Sequence, residues 1–145
     1  MKKVRDIMTK NVETCSLLDN VYEAAVKMKE LDVGAIPIVD GNHLVGILTD
    51  RDIVLRGIAE KRPASIKVSE IMTEGVITIS EEESVHTAAK IMADHKIRRL
   101  PVLRNGELVG IVALGDLAKE EKTDYQAKMA LSEISEPKNP DSFQA

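Results

Sequence analysis

The chain has 145 residues, a formal net charge of −4 and 43% hydrophobic residues, enough for one ordinary domain or two small ones sharing a core. The acidic balance argues against nucleic acid and membrane surfaces, which are bound through basic faces, and with no Trp, one Phe and two Tyr a base-stacking platform lacks its main ingredient. One cysteine excludes an intramolecular disulfide framework and suits a reducing compartment; with no apolar run near the roughly 18 residues of a spanning helix, and none like a signal-peptide core, a soluble cytoplasmic protein is the expectation.

After an opening segment ending Ile7-Met8-Thr9, the β-prone Val12-Glu13-Thr14-Cys15 reads as a first strand. Asn20 and Glu23 have the spacing of a capping box, and Val21, Ala24, Ala25, Met28 and Leu31 recur on one face, predicting an amphipathic helix of about three turns that Gly34 ends. Ala35 to Val39 follows as a second strand. Proline removes a ladder donor, so Pro37 is expected at an edge or irregular position. Asp40-Gly41-Asn42 turns the chain into a third strand, Leu44 to Leu48, and a second helix is expected from about Asp50 to Ala59.

At the junction of that strand and helix, Leu44-Val45-Gly46-Ile47-Leu48-Thr49-Asp50-Arg51-Asp52 carries an apolar run straight into a polar turn. Thr49 leaves the strand end with its hydroxyl, and Asp52 sits three residues on, in the first helical turn beside amides that have no helical partner. This is a place to hold a polar ligand. The stretch recurs as Leu108-Val109-Gly110-Ile111-Val112-Ala113-Leu114-Gly115-Asp116, with Ala113 in place of Thr49.

The recurrence is general. An offset of 64 (68 minus 4) maps Val4 on Val68, Met8-Thr9 on Met72-Thr73, Thr14 on Thr78, Ala24-Ala25 on Ala88-Ala89, Pro37 on Pro101 and Asp52 on Asp116 without a gap. Roughly a third of the aligned positions are identical over about fifty residues, which is internal duplication. The second copy repeats the elements: a strand over Val76 to Ile79, a helix from Ser84 to about Lys96, strands Leu100 to Leu103 and Leu108 to Val112, and a last helix continuing from Asp116 past Lys119-Glu120-Glu121-Lys122 to Met129, Leu131 and Ile134. From Glu136 the composition reads as a frayed tail.

The middle strands are apolar at nearly every position, as strands buried on both faces are, and a lone copy of about 55 residues buries too little surface to be comfortably stable. The expected fold is α/β (α+β): two β-α-β-β-α repeats related by pseudo-two-fold symmetry, with small mixed sheets and helices packed on one face. Repeat one covers 4–60, a connector 61–67, repeat two 68–118, and a helical extension with a disordered tail 119–145.

With the paired Gly-Ile stretches ending in Asp52 and Asp116, Pro37 and Pro101 upstream and the Ile-Met-Thr openings, the sequence resembles a tandem cystathionine-β-synthase-type (CBS) domain pair, or Bateman module. The resemblance covers residues 4 to about 118. It implies a small-molecule sensor binding adenosine-containing ligands (AMP, ADP or ATP, S-adenosylmethionine, NAD-type molecules) in clefts between the repeats, passing occupancy to a partner protein, and pairing into homodimers. It implies no catalytic domain and no required cofactor, with Mg²⁺ at most arriving on the nucleotide. Residue by residue, Asp52 and Asp116 match the family's ribose-binding aspartate, and Thr49 the hydroxyl three positions before it. Arg51 resembles a phosphate-side contact. Thr14 and Thr78, with the backbone around Ala35-Ile36-Pro37 and Arg99-Leu100-Pro101, match the adenine-side walls. Arg98 and Arg99 fall where the family places phosphate-binding cations, against Gly34 and Ala35 in repeat one. Each half-site is thus incomplete in a different way.

Plainer readings stand beside these. Asp52 and Asp116 in a helix's first turn are also simply favourable charges there, and Lys96, Arg98 and Arg99 also suit a helix C-terminus. Cys15 reads as a packed core thiol, and Met8 and Met72 as hydrophobic plugs. His43, His86 and His95 lack metal-ligand spacing, and the glycines match neither a P-loop nor a dinucleotide fingerprint. A nucleotide-acting enzyme is the weaker alternative, since no nucleophile–base pair appears; a purely structural dimerisation module is the other.

Overall fold

A computed structural model describes residues 2–120 and 129–132. In chain order the elements are α1 (Val4–Ile7), β1 (Cys15–Ser16), α2 (Val21–Leu31), β2 (Ala35–Asp40), β3 (His43–Thr49), α3 (Asp50–Asp52), a π-helical turn (Ile53–Gly57), 3-10 turns at Ile58–Glu60 and Val68–Glu70, β4 (Ile79–Ser80), α4 (Val85–His95), β5 (Arg99–Arg104), β6 (Glu107–Ala113) and α5 (Leu114–Ala118). Each repeat supplies strand, helix, hairpin and helix, a mixed α/β architecture. The chain forms two compact units: Glu13–Val76 with Gly106–Leu108, and residues 2–12 with Ile77–Asn105 and the described residues from Val109 on. Sequence repeat and compact unit are different stretches, because each Ile-Met-Thr opening packs within the unit built mainly from the other repeat.

In the first of these units β2 is the middle strand, parallel to β1 (Cys15 opposite Ile38) and antiparallel to β3 (Ala35 opposite Thr49). Asn20 and Glu23 close the expected capping box, Asn20 Oδ1 accepting from the Glu23 amide at 2.8 Å. Val21, Ala24 and Met28 turn inward onto Cys15, Ile36, Ile38 and Leu48, whereas Leu31, expected on that face, is 40% exposed. Helix α2 ends at Asp32 in the left-handed conformation (φ 55°), not at Gly34; Gly34 instead lies against Asp50, whose Oδ2 would be 3.2 Å from a β-carbon there.

Three further expectations are corrected. The first strands are shorter and later, Cys15–Ser16 and Ile79–Ser80; the Thr14 carbonyl accepts from Lys27 Nζ at 2.7 Å instead of joining a ladder. Pro37 sits inside the middle strand. It is tolerated because Ile47, its partner on β3, spends its own N–H and C=O on Thr73 (2.9 and 2.8 Å), so the Pro37 nitrogen points away from β3, and β1 begins pairing only at Ile38. The helix expected over Asp50 to Ala59 widens into a π-helical turn at Ile53–Gly57, where the Ile58 amide reaches back to the Ile53 carbonyl.

In the other unit β4 runs parallel to β5 (Ile79 opposite Val102), and β6 lies beside β5. Thr9 exchanges backbone hydrogen bonds with Ile111 at 2.8 and 3.0 Å, repeating the Thr73–Ile47 pairing. Helix α4 is capped by Ser84, whose Oγ accepts from the Thr87 amide at 3.1 Å, and ends at Lys96 (φ 56°). Val4, Val85, Met92, Leu100, Val102, Val112 and Leu117 fill the core. Helix α5 stops at Ala118, short of the expected continuation. Residues 129–132 are again helical, with Ala130 buried and Met129 and Leu131 about half exposed. Residues 121–128 and the tail expected from Glu136 lie outside the described residues.

Candidate functional site

The site grows from the end of β3. Thr49 keeps an extended backbone (φ −110°, ψ 160°) as N-cap, and its Oγ1 accepts from the Asp52 amide at 3.0 Å while its own amide donates to Asp52 Oδ2 at 3.0 Å. This reciprocal box turns the Asp52 carboxylate back toward the strand end. Asp52 is only 8% exposed, so its charge needs partners. Thr73 Oγ1 lies 3.2 Å from both carboxylate oxygens. Arg56, one helical turn on, brings Nε to 3.9 Å from Oδ1 and donates through Nη1 to the Met72 carbonyl at 3.1 Å and the Ile71 carbonyl at 3.4 Å.

The sheet register sets Ala35 directly opposite Thr49, so the start of β2 and the end of β3 flank this corner, and the Asp50 amide donates to the Gly34 carbonyl at 2.9 Å. Ile36 and Pro37 continue β2 into the core. Thr14, half-buried just before β1, is separated from Thr49 by the width of β2. Arg51 is exposed, and its amide donates to Asp50 Oδ1 at 2.8 Å. Asp50 and Asp52 therefore serve different partners. Among the described residues no group of three or more His, Cys, Asp or Glu is placed to hold a metal ion. Cys15 is a core thiol, 1% exposed, and burial raises its pKa.

The other unit repeats the backbone and changes the chemistry. Ala113 has the angles of Thr49 (φ −110°, ψ 157°), and its amide donates to Asp116 Oδ2 at 2.8 Å, but a methyl accepts nothing, so half of the box is missing. Thr9 stands where Thr73 does, yet among the described residues Asp116 accepts from Ala113 alone. Glu120 replaces Arg56 and takes Lys2 Nζ at 3.1 Å. The Arg98 carbonyl accepts from the Leu114 amide at 2.8 Å with its side chain exposed, while Arg99, the first residue of β5, is half-buried. Pro101 lies buried in β5, and Thr78 is half-buried just before β4.

Sequence reasoning missed Thr73 and Arg56. Thr73 was readable as the third member of a repeated Ile-Met-Thr opening. Arg56 was readable only through the charge reversal to Glu120 at the matching position.

A family model described as "CBS domain" matches residues 4–57 and 68–122. The chain is 54% identical over 141 residues to the "uncharacterized protein YlbB" of Bacillus subtilis (strain 168), covering 96% of this chain and 95% of that one. Among solved structures it is similar to Hypoxic Response Protein I with two coordinated zinc ions (TM-score 0.75, 34% identity, 82% of this chain and 98% of the other). It is also similar to CBSX2 in complex with AMP (0.71, 26%, 88% and 99%). A third is the CBS domain pair of protein MJ0100 with 5′-methylthioadenosine and S-adenosyl-L-methionine (0.68, 33%, 82% and 94%). With two matched segments and a relative at this identity along nearly its whole length, the chain belongs to the CBS-domain family and carries two CBS domains.

Proposed function

We propose that the protein is a regulatory module that binds an adenosine-containing nucleotide and conveys its occupancy to a partner protein. The observation that carries this reading is the buried Asp52 carboxylate, held at the end of β3 by Thr49, beside the start of β2. The carboxylate suits the ribose hydroxyls. Ala35, Ile36, Pro37 and Thr14 are assigned to the adenine side and Arg51 to the phosphates, with any Mg²⁺ arriving on the nucleotide. Asp116, Thr78, Pro101, Arg98 and Arg99 form the corresponding second set. The fold's occurrence with AMP in CBSX2 and with S-adenosyl-L-methionine in MJ0100 supports the ligand class. Regulation is then differential affinity for two arrangements of the protein, the only way a ligand shifts an equilibrium.

The test is thermal unfolding with AMP, ADP, ATP and a pyrimidine nucleotide. At 100 times Kd a ligand that binds only the folded state adds about 2.7 kcal/mol, so adenosine compounds should raise the melting temperature and the pyrimidine far less. No shift with any adenosine compound at millimolar concentration would sink the reading. A homodimer and a cytoplasmic setting belong to the same proposal. Light scattering should give twice the chain mass, and Tyr22, Leu55 and Ile58, which are 63%, 45% and 68% exposed, are the side chains to substitute in testing the dimer.

A further inference from the structure

The Thr73 hydroxyl lies against both oxygens of the Asp52 carboxylate, 3.2 Å from Oδ1 and 3.2 Å from Oδ2, so it crowds the side from which two hydroxyls, one to each oxygen, would approach. A hydroxyl has one proton, so it shares that proton between the two oxygens, while Oδ2 already accepts from the Thr49 amide at 3.0 Å. With Asp52 only 8% exposed, there is little other approach.

Thr73 is also the end of a segment tied to the same spot. Its backbone pairs with Ile47, and Arg56 joins the Ile71 and Met72 carbonyls to the neighbourhood of Asp52. Beyond it the chain leaves this unit after Val76. Among the described residues the matching carboxylate, Asp116, accepts from no threonine hydroxyl, and the residue one turn on is Glu120 where Asp52 has Arg56.

We propose that the Thr73 hydroxyl is an internal competitor for Asp52: a vicinal diol chelating the carboxylate displaces it, and residues 68–73 loosen as it leaves. This deepens the nucleotide-binding reading above and rests on it. Thr73 is a positioning residue for the response, holding its segment to the carboxylate until a ligand takes its place.

The test compares the full chain with Thr73→Val and Thr73→Ser, using AMP and 2′-deoxy-AMP as probes. Removing a competing hydrogen bond should tighten AMP binding to Thr73→Val by about five-fold, with a smaller gain for 2′-deoxy-AMP, which offers one hydroxyl where AMP offers two. Thr73→Ser should bind as the wild type does. In wild type, AMP should speed hydrogen exchange at the Met72 and Thr73 amides, and in Thr73→Val it should leave them unchanged. If wild type binds AMP but Thr73→Val binds it no tighter, or AMP protects those amides in wild type, the competitor is overturned and the nucleotide reading stands. If Thr73→Val fails to fold, the wild-type exchange result decides alone. If wild type binds no adenosine compound, both fall.

Discussion

The Met8 sulfur rests against the bare Cα of Gly110: a β-carbon built on that glycine would stand 2.6 Å from Sδ and 2.8 Å from the Thr9 carbonyl oxygen. Gly46 meets Met72 Sδ and the Thr73 carbonyl at 2.8 and 2.9 Å in the same way. Each glycine lets an Ile-Met-Thr opening lie flat on a strand, and the methionine fills the space. Overpacking of this kind costs about 1–3 kcal/mol. Gly46→Ala and Gly110→Ala should each lower the urea midpoint correspondingly. Gly115, in α5 with no atom of the described residues within 4 Å of the added carbon, should instead gain about 0.4–1 kcal/mol as alanine, through lost unfolded-state entropy. Equal effects at all three positions would remove this account.

This pairing also marks what the sequence made legible. The duplication, the two hairpins, the capping box of Asn20 and Glu23 and the burial of Cys15 followed from spacing and residue type, because each is a local signal. That the opening of each repeat packs in the unit built mainly from the other followed from no local signal; it is a matter of which unit a segment joins. Pro37 was misplaced for the same reason, since its tolerance depends on Ile47 turning its backbone groups to Thr73. The Thr49–Asp52 box was readable from a three-residue interval, whereas Thr73 and Arg56 needed the folded neighbourhood.

Acid should loosen the opening segment first. Hydrogen bonding from Arg104 lowers the Glu81 pKa, and hydrogen bonding from Lys3 lowers that of Glu82. The Glu82 carboxylate holds the opening segment directly, accepting from Lys3 Nζ at 2.6 Å and Arg5 Nη1 at 2.5 Å, whereas the Glu81 carboxylate pairs with Arg104 and only the Glu81 backbone carbonyl meets the Arg5 amide, at 3.1 Å. A carboxylate with a folded-state pKa below its unfolded value of about 4.3 adds stability above that value and loses it as pH falls through the folded pKa. Hydrogen exchange at the Val4 and Arg5 amides should therefore accelerate below about pH 4, relative to the Ile38 and Val102 amides. Glu82→Gln should weaken that acid dependence. Uniform acceleration across the chain would count against a local release.

The two carboxylate sites should bind unequally. Ala113 lacks the hydroxyl that Thr49 provides, a loss of roughly 1 kcal/mol or about five-fold in affinity, against which the Asp52 site carries the Thr73 competitor; Arg99 offers its own site a cation for phosphates, a stronger charge-assisted partner. Calorimetry should show Asp52→Ala abolishing the site that accepts adenosine itself, and Arg99→Ala weakening mainly the site that discriminates ATP from AMP. Two sites responding alike to both substitutions would refute the asymmetry.

The missing half of the second capping box should be restorable. Ala113 holds the backbone angles of Thr49 to within a few degrees (φ −110°, ψ 157° against −110°, 160°), so a threonine there meets no new backbone demand. Its hydroxyl would accept from the Asp116 amide as Thr49 Oγ1 accepts from the Asp52 amide at 3.0 Å, while the return bond from the Ala113 amide to Asp116 Oδ2 already stands at 2.8 Å. Alanine is among the poorest N-cap residues, and the exchange for threonine is worth about 0.5–2 kcal/mol. Ala113→Thr should raise the unfolding free energy by about 1 kcal/mol, and the reverse change, Thr49→Ala, should cost at least as much, because it also slackens the carboxylate that Thr73 and Arg56 share. Denaturant titration of both variants measures the two effects. If Ala113→Thr leaves stability unchanged while Thr49→Ala destabilises, the short helix α5 does not depend on its cap, and the cost of Thr49→Ala comes from the Asp52 carboxylate that Thr73 and Arg56 share.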